Sequence, residues 1–367
     1  MPDIRLLMTA DAAGGIWTYA LETARGLCAH GIATTLAILG NRPGESALRE
    51  ASAIAGLQLE LTGLPLDWTA RTASDVTHAG EEIARLSRRI GADLVQLNAP
   101  ALAATASFAV PTIGVLHSCV ATWWDAVHGN ATLPADLDWR AKLTRAGLSR
   151  VDVAIAPSRA LARQAQRVYA LSRPPMVVHN GRSPPDTPPH ANRDIPVLTA
   201  GRLWDDGKNI AGLDCAAERL PFGICVAGPL QGPNGASVQL HRLDWLGNLD
   251  ASALRQTMAR SRVFVSPALY EPFGLAVLEA AQAGCALVLS DIPTFRELWD
   301  GAALFVAPSD PQAIAGALTD IVADAVLSTR MAAAARRRAA EYTVDKSADR
   351  LAALMRGLLV EPRRRAS

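Results

Sequence analysis

Residues 266–291 read SPALYEPFGLAVLEAAQAGCALVLSD. An apolar, strand-like run, Val263-Phe264-Val265, leads into this stretch. Pro272 and Gly274 break the chain and start a helix, in which Leu275, Leu278 and Ala281 recur at helical spacing. Glu271 therefore ends a strand, and Glu279 lies a turn inside the helix. A helix N-terminus carries unpaired N–H groups and a partial positive charge, so it can hold a phosphate. Two carboxylates flank that anion site. They suit hydroxyls on either side of a diphosphate, the layout that a sugar nucleotide requires.

Outward from this stretch, short apolar runs alternate with amphipathic helical segments. Ile4–Thr9, 34–39, 94–97, 112–116 and 153–156 read as strands. Ile16, Tyr19, Ala20, Ala24, Leu27 and Cys28 share one helical face, and residues 81–90 form a second helix. The alternation stops in the proline-rich stretch 173–195, which holds one embedded strand, Met176–His179. It restarts with strands at 197–200, 223–227, 263–267 and 286–290. This is the pattern of doubly wound parallel sheets. The domains expected are 1–180 and 195–342, with a linker over 181–194 and a last helix near 343–360.

Composition narrows the class. The chain has 367 residues, half of them hydrophobic, which suits two domains with substantial cores. A net charge of +1 argues against a nucleic-acid footprint. Five scattered cysteines without a CxxC spacing suggest neither a disulfide framework nor a zinc site. The N-terminus reads as a strand and glycine turn rather than a signal peptide. No apolar run reaches the length of a membrane span. The expectation is a cytoplasmic protein with at most peripheral contact at the inner membrane face.

Three further features fall at strand ends, where α/β sheets bind ligands. Gly14-Gly15 follow the first strand and either approach an anion or form a tight turn; the spacing is not GxGxxG. Arg202 and Lys208 lie on the loop after strand 197–200. Arg offers a fork to phosphate oxygens and Lys a point charge, although a solvated loop reads the same way. With the glutamate pair on the same sheet, the anion site is the better reading. His117 ends a strand, as a ligand to a bound sugar or as a satisfied structural histidine. Trp123-Trp124 follow, suited to sugar stacking or to core packing. Asp136 and Asp138 have the DxD spacing used for divalent cations, but they lie in a proline-bearing segment, where chance explains them better. Ser158 lacks a nucleophile's glycine elbow and reads as a helix cap.

Together, Glu271 and Glu279 as E-x7-E, Gly201-Arg202-Leu203 with Lys208, and Asn180-Gly181 resemble the retaining glycosyltransferases of family 4. The resemblance is strong over 195–310 and collinear through the first domain. It implies the GT-B fold: two Rossmann-like domains, an interdomain cleft holding the active site, and a last helix crossing back to the first domain. It implies that Glu271 binds hydroxyls of the transferred sugar and Glu279 the ribose. Arg202, Lys208 and N–H groups near Gly274 and Leu275 would hold the diphosphate. Gly14-Gly15 would face the diphosphate or the acceptor, and His117 would act beside the reacting sugar. The chain departs from the family at two points. The Arg202–Lys208 interval is one residue longer than usual, and Ile292-Pro293-Thr294 stands where Gly-Gly is common.

The resulting expectation is a hexose transferred, with retention, from a UDP, GDP or ADP sugar. The acceptor would be a glycan, a lipid-linked or a small molecule, in exopolysaccharide or surface-glycan synthesis. A GT-B sugar-nucleotide epimerase and a non-catalytic sugar-nucleotide-binding protein are the other classes. No cofactor and no metal are expected, because two cations and a helix N-terminus can balance the diphosphate. Sugar transfer should therefore survive EDTA, and Asp136→Asn with Asp138→Asn should be nearly silent. Loss of turnover on chelation, restored by magnesium or manganese, would overturn this expectation.

Overall fold

The computed structural model describes residues 3–12, 14–129, 131–184 and 193–360. The chain divides into two compact units, Met1–Gly181 with Val344–Ser367, and Arg182–Thr343. Most of the expected linker lies outside the described residues. Of its described residues, Gly181 counts with the first unit, and 182–184 and 193–194 with the second.

The first unit carries strands β1 (Ile4–Asp11), β2 (Ile32–Leu39), β3 (Leu57–Leu61), β4 (Leu94–Leu97), β5 (Thr112–Val115), β6 (Val153–Ala156) and β7 (Met176–Val177). Between them run α1 (Gly15–Cys28), α2 (Glu45–Ser52), α3 (Ala73–Arg89), α4 (Val120–His128), α5 (Ala135–Arg150) and α6 (Arg159–Tyr169). All strand pairs are parallel, in the order β3-β2-β1-β4-β5-β6-β7. The second unit alternates β8 (Ile195–Ala200), α7 (Ile210–Ala217), β9 (Ile224–Ala227), β10 (Asp244–Trp245), α8 (Ala251–Arg260), β11 (Ser261–Ser266), α9 (Leu275–Gln282), β12 (Ala286–Ser290), α10 (Pro293–Trp299), β13 (Leu304–Val306), α11 (Pro311–Ala323) and α12 (Ala325–Ala339). Its parallel order is β10-β9-β8-β11-β12-β13. The last helix, α13 (Val344–Val360), belongs to the first unit.

Central strands buried on both faces need continuous apolar runs, and β12 is buried throughout. In the second unit one face of the sheet packs Phe264, Leu278, Leu287, Phe295 and Trp299. The other packs Val197, Leu213, Val226, Val288 and Leu318. In the first unit Leu7, Ile83, Val95 and Leu102 fill one face. Leu6, Met8, Ala20, Leu27, Leu351 and Met355 fill the other, so α1 and α13 share that core.

Local chemistry sets several helix starts. Thr72 and Asp75 form a capping box, so α3 begins eight residues before the apolar period at 81 makes it visible. Ser158 caps α6 by accepting from the Leu161 N–H, as a cap rather than a nucleophile. Asp136 and Asp138 stand in the first turn of α5, where acidic residues oppose the helix dipole. Asp138 pairs there with Lys142 at 2.5 Å. The DxD is a helix start.

Each sheet reverses its winding at one point: between β1 and β4, and between β8 and β11. Loops leaving those strands diverge above the sheet, and the crevice they open is where such sheets bind ligands. Gly14-Gly15 leave β1, Arg202 and Lys208 follow β8, and Glu271 follows β11.

The packing of α13 on α1 needs a residue without a side chain at Gly26. A Cβ there would lie 2.7 Å from Ala348 Cβ and 2.9 Å from Val344 Cγ1. Alanine is favoured over glycine inside a helix by about 1 kcal/mol. Overpacking should outweigh that preference, so Gly26→Ala should destabilise by roughly 1–3 kcal/mol. Urea unfolding measures it, and a stabilised variant would show that this contact is not tight.

Candidate functional site

The loop after β8 is braced from within. Asp205 Oδ1 accepts the Gly207 N–H at 2.9 Å and caps a single 3-10 turn, Asp206–Lys208. The Gly207 carbonyl then accepts two N–H groups, from Leu269 at 2.9 Å and Tyr270 at 3.1 Å. Asn209 takes the left-handed conformation, with φ of 55°. Its Nδ2 donates to the carbonyls of Pro267 (3.0 Å) and Pro308 (2.8 Å). The loops leaving β8 and β11 are thus one hydrogen-bonded assembly.

That assembly sets Lys208 Nζ 2.6 Å from Glu271 Oε2, with both side chains largely buried. The interval between Arg202 and Lys208 contains this 3-10 turn, and the lysine at its end meets the first glutamate. Arg202 is more exposed and is anchored by Asp205 Oδ2 at 2.8 Å. One nitrogen of its fork is committed there, and a guanidinium carries further donors.

Gly274 leads into α9 with φ of 90° and ψ of 63°. A Cβ on it would meet Phe295 at 3.2 Å and Val277 at 3.3 Å in a backbone conformation that side chains disfavour, so glycine is required. No side chain caps α9, which leaves the N–H groups of its first turn, from Leu275 onward, without an internal acceptor. Glu279 sits in the next turn and is paired with Arg182, Nε to Oε1 at 2.8 Å. The second unit therefore offers Arg202 and Lys208 on the loop after β8, Glu271 after β11, and an open helix N-terminus with Glu279 and its partner Arg182 one turn further on. Such a set can hold a diphosphate between two groups of hydroxyls.

In the first unit the groups at the strand ends are mostly neutral. His117 Nε2 lies 3.2 Å from Asn98 Oδ1. Asn98 Nδ2 donates to the Thr9 carbonyl at 2.7 Å, which fixes the amide so that Oδ1 is the acceptor. Gln96 Nε2 donates to the same Oδ1 at 3.3 Å and to the Tyr19 hydroxyl at 3.2 Å. His117 must then donate from Nε2, which leaves Nδ1 as a bare acceptor. The Tyr19 ring meets the imidazole edge-on, centroids 4.4 Å apart. Burial pushes the His117 pKa down to about 3, so the ring is neutral at physiological pH. Nearby, Asp11 ends β1 and accepts from Trp68 Nε1 at 3.2 Å. Burial and then the charge of Asp11 push Asp67 up to about 6.

Gly14, with φ of 68°, precedes α1, which also lacks a side-chain cap. Gly14-Gly15 are exposed, so the turn and the open helix N-terminus coexist. Trp124 stacks on His128 with centroids 3.9 Å apart, and its Nε1 donates to the Ala131 carbonyl. Among the described residues no cluster of three or more His, Cys, Asp or Glu could hold a metal, and no helix is long and apolar enough to cross a membrane.

Sequence reasoning missed Arg182 and Asn98. Arg182 directly follows Asn180-Gly181, and a cation beside that dipeptide was a usable signal. Asn98 ends β4 beside the winding reversal, which a strand list without strand order does not reveal.

Comparison with known proteins gives this geometry a family. The model of Glycosyltransferase Family 4 matches residues 13–184, and that of Glycosyl transferases group 1 matches residues 236–338. The chain belongs to the family-4-like glycosyltransferases. Among curated relatives, the GDP-mannose-dependent alpha-(1-6)-phosphatidylinositol dimannoside mannosyltransferase of Mycobacterium tuberculosis is 30% identical over 208 residues, 56% of this chain and 50% of that protein. The chain spans half or less of the length of the curated relatives it matches. Among solved structures, sucrose-phosphate synthase from Thermosynechococcus elongatus has a TM-score of 0.79 at 19% identity, covering 97% of this chain and 99% of that one. Anabaena Alr3699/HepE, solved with UDP-glucose, has a TM-score of 0.73 at 18% identity, covering 96% and 100%. These likenesses give the family-4-like glycosyltransferase its fold, GT-B.

The buried histidine has a consequence for stability. An unfolded histidine titrates near 6.5, and His117 in the folded chain near 3. Between those values the unfolded chain binds a proton that the native chain does not. The contribution is complete above 6.5 and is lost as pH falls through the window. In His117→Gln the drop in urea midpoint from about pH 7 to about pH 5 should be smaller than in wild type. An equal drop would show that His117 is not held neutral by its surroundings.

Proposed function

We propose that this family-4-like protein transfers a hexose from a nucleoside diphosphate sugar to an acceptor hydroxyl, with retention of configuration. The observation that carries this reading is the Lys208–Glu271 pair beside the open N-terminus of α9, with Glu279 one turn further on. Lys208, Arg202 and the first-turn N–H groups, from Leu275 onward, take the charge that develops on the departing diphosphate. Such preorganised electrostatic stabilisation is often the largest single contribution to catalysis. As the bond to the diphosphate breaks, the hexose becomes oxocarbenium-like, and the acceptor oxygen attacks from the leaving-group side, its proton passing to an oxygen of the departing diphosphate. Glu271 binds hydroxyls of that hexose, and Glu279 binds the ribose. His117, neutral and bare at Nδ1, accepts a hydroxyl hydrogen without adding charge. Relatives whose names include GDP-mannose dependence, and a structural neighbour solved with UDP-glucose, support the class of donor. The acceptor is a glycan, lipid-linked or small-molecule hydroxyl.

A thermal-shift screen with UDP-, GDP- and ADP-sugars tests the donor, because a ligand bound only by the native state raises Tm by mass action. No shift with any of them would count against the reading. The two glutamates should then fail differently. Glu271→Gln should lower kcat roughly 100- to 1000-fold while NDP affinity stays close to wild type, since its contacts strengthen at the transition state. Glu279→Gln should raise the donor KM and weaken NDP by about 1.5–3 kcal/mol, as for a lost charged hydrogen bond. Near-normal kcat in Glu271→Gln would make the pair structural.

A further inference from the structure

Arg182 is the first residue of the second unit, and it is held at three points. Its N–H donates to the Tyr342 carbonyl at 3.1 Å. Its carbonyl accepts from Gln282 Nε2 at 3.2 Å. Its Nε lies 2.8 Å from Glu279 Oε1, with 11% of the arginine side chain and 16% of the glutamate side chain exposed. Glu279 and Gln282 are three residues apart on α9, so they share one face of that helix. Arg182 thus grips α9 through both its backbone and its side chain.

A glutamate needs a fixed rotamer to serve two adjacent hydroxyls, and freezing a long side chain costs entropy in the absence of a partner. A nearly buried carboxylate also needs a compensating charge. Arg182 supplies both. Its guanidinium is planar and carries its donors in a fixed fork, and its Nε stands against one carboxylate oxygen as an ion-pair contact rather than an aligned hydrogen bond. A carboxylate accepts up to about four hydrogen bonds, so the pair is compatible with ribose hydroxyls donating to the same group.

We propose that Arg182 is a positioning residue for the donor: it holds the Glu279 carboxylate in the orientation that receives the two ribose hydroxyls. This rests on the reading of Glu279 as the ribose ligand. On this reading Arg182 acts through Glu279 and not on the reacting bond. Its contribution should appear in ground-state binding of the nucleoside and not in the chemical step.

The test is calorimetry with UDP, GDP and ADP, with the 2′,3′-dideoxy form of whichever binds, and with inorganic pyrophosphate. Wild type should bind the ribose form more tightly than the dideoxy form. In Arg182→Ala that preference should collapse, with NDP affinity falling roughly 10- to 100-fold as for a lost charged contact. Pyrophosphate affinity should not change. Arg182→Lys, which keeps the charge without the fork, should fall between the two and carries the same comparison should the alanine variant not fold. In steady state the donor KM should rise while kcat stays near wild type. An unchanged ribose preference in both variants would overturn the proposal, as would an equal loss for pyrophosphate, which would mark a general disturbance of α9. A wild type that binds none of the three nucleotides would remove the donor reading itself. A wild type that binds one of them with no ribose preference would remove only the role of Glu279 and, with it, that of Arg182.

Discussion

Two N–H groups converge on one carbonyl oxygen, that of Gly207, and the arrangement of Lys208 and Glu271 in the second unit depends on it. The donors belong to Leu269 and Tyr270, directly before Glu271. The acceptor belongs to the turn that ends in Lys208. Backbone hydrogen bonds away from water are costly to leave unmade, so the two loops move together or not at all. Asn209 reinforces them by donating to Pro267, at the start of the same strap, and to Pro308. The 2.6 Å contact between Lys208 and Glu271 follows from main-chain geometry, and the side chains need only complete it.

The two units treat charge differently. The second collects formal charges of both signs around an uncapped helix. Around His117 the first presents amides, a phenol and an uncharged imidazole. A diphosphate would find countercharge in the former. In the latter a sugar hydroxyl would find acceptors and donors that carry no charge to disturb a developing cation. In the polar chain from Gln96 through Asn98 to His117, the Thr9 carbonyl fixes the Asn98 amide and Asn98 in turn fixes the His117 tautomer, while Gln96 Oε1 is buried without a hydrogen-bond partner among the described residues.

Much of this was legible in the sequence, and the reasons differ by element. Strands β4 and β12 are buried throughout and, apart from Gln96 and Ser290, read as apolar runs; β6 is apolar and half buried, and the bounds of all three were readable to the residue. Glu271 and Glu279 stood out because glycine and proline punctuate the chain around them. Helix α3 was cut short because its first half alternates small and polar residues, and its start is set by the Thr72–Asp75 box rather than by hydrophobic period. Helix α5 hid behind Pro134, which stands at its N-cap where it can begin a helix instead of breaking a loop. Contacts of the kind made by Arg182 and Asn98 join residues far apart in the chain, 97 residues in one case and 19 in the other, and no local pattern encodes them.

The return of α13 to the first unit has a consequence for biosynthesis. Leu351, Ala352 and Met355 complete the core that α1 begins with Ala20, Ala24 and Leu27. A chain emerging from the ribosome exposes that apolar face before the covering helix, which begins at Val344, has been made. The second unit is contiguous, 182–343, and has every strand and helix it needs before α13 emerges. The later-made unit can therefore finish folding first, while the earlier-made one stays open and vulnerable to aggregation until α13 emerges.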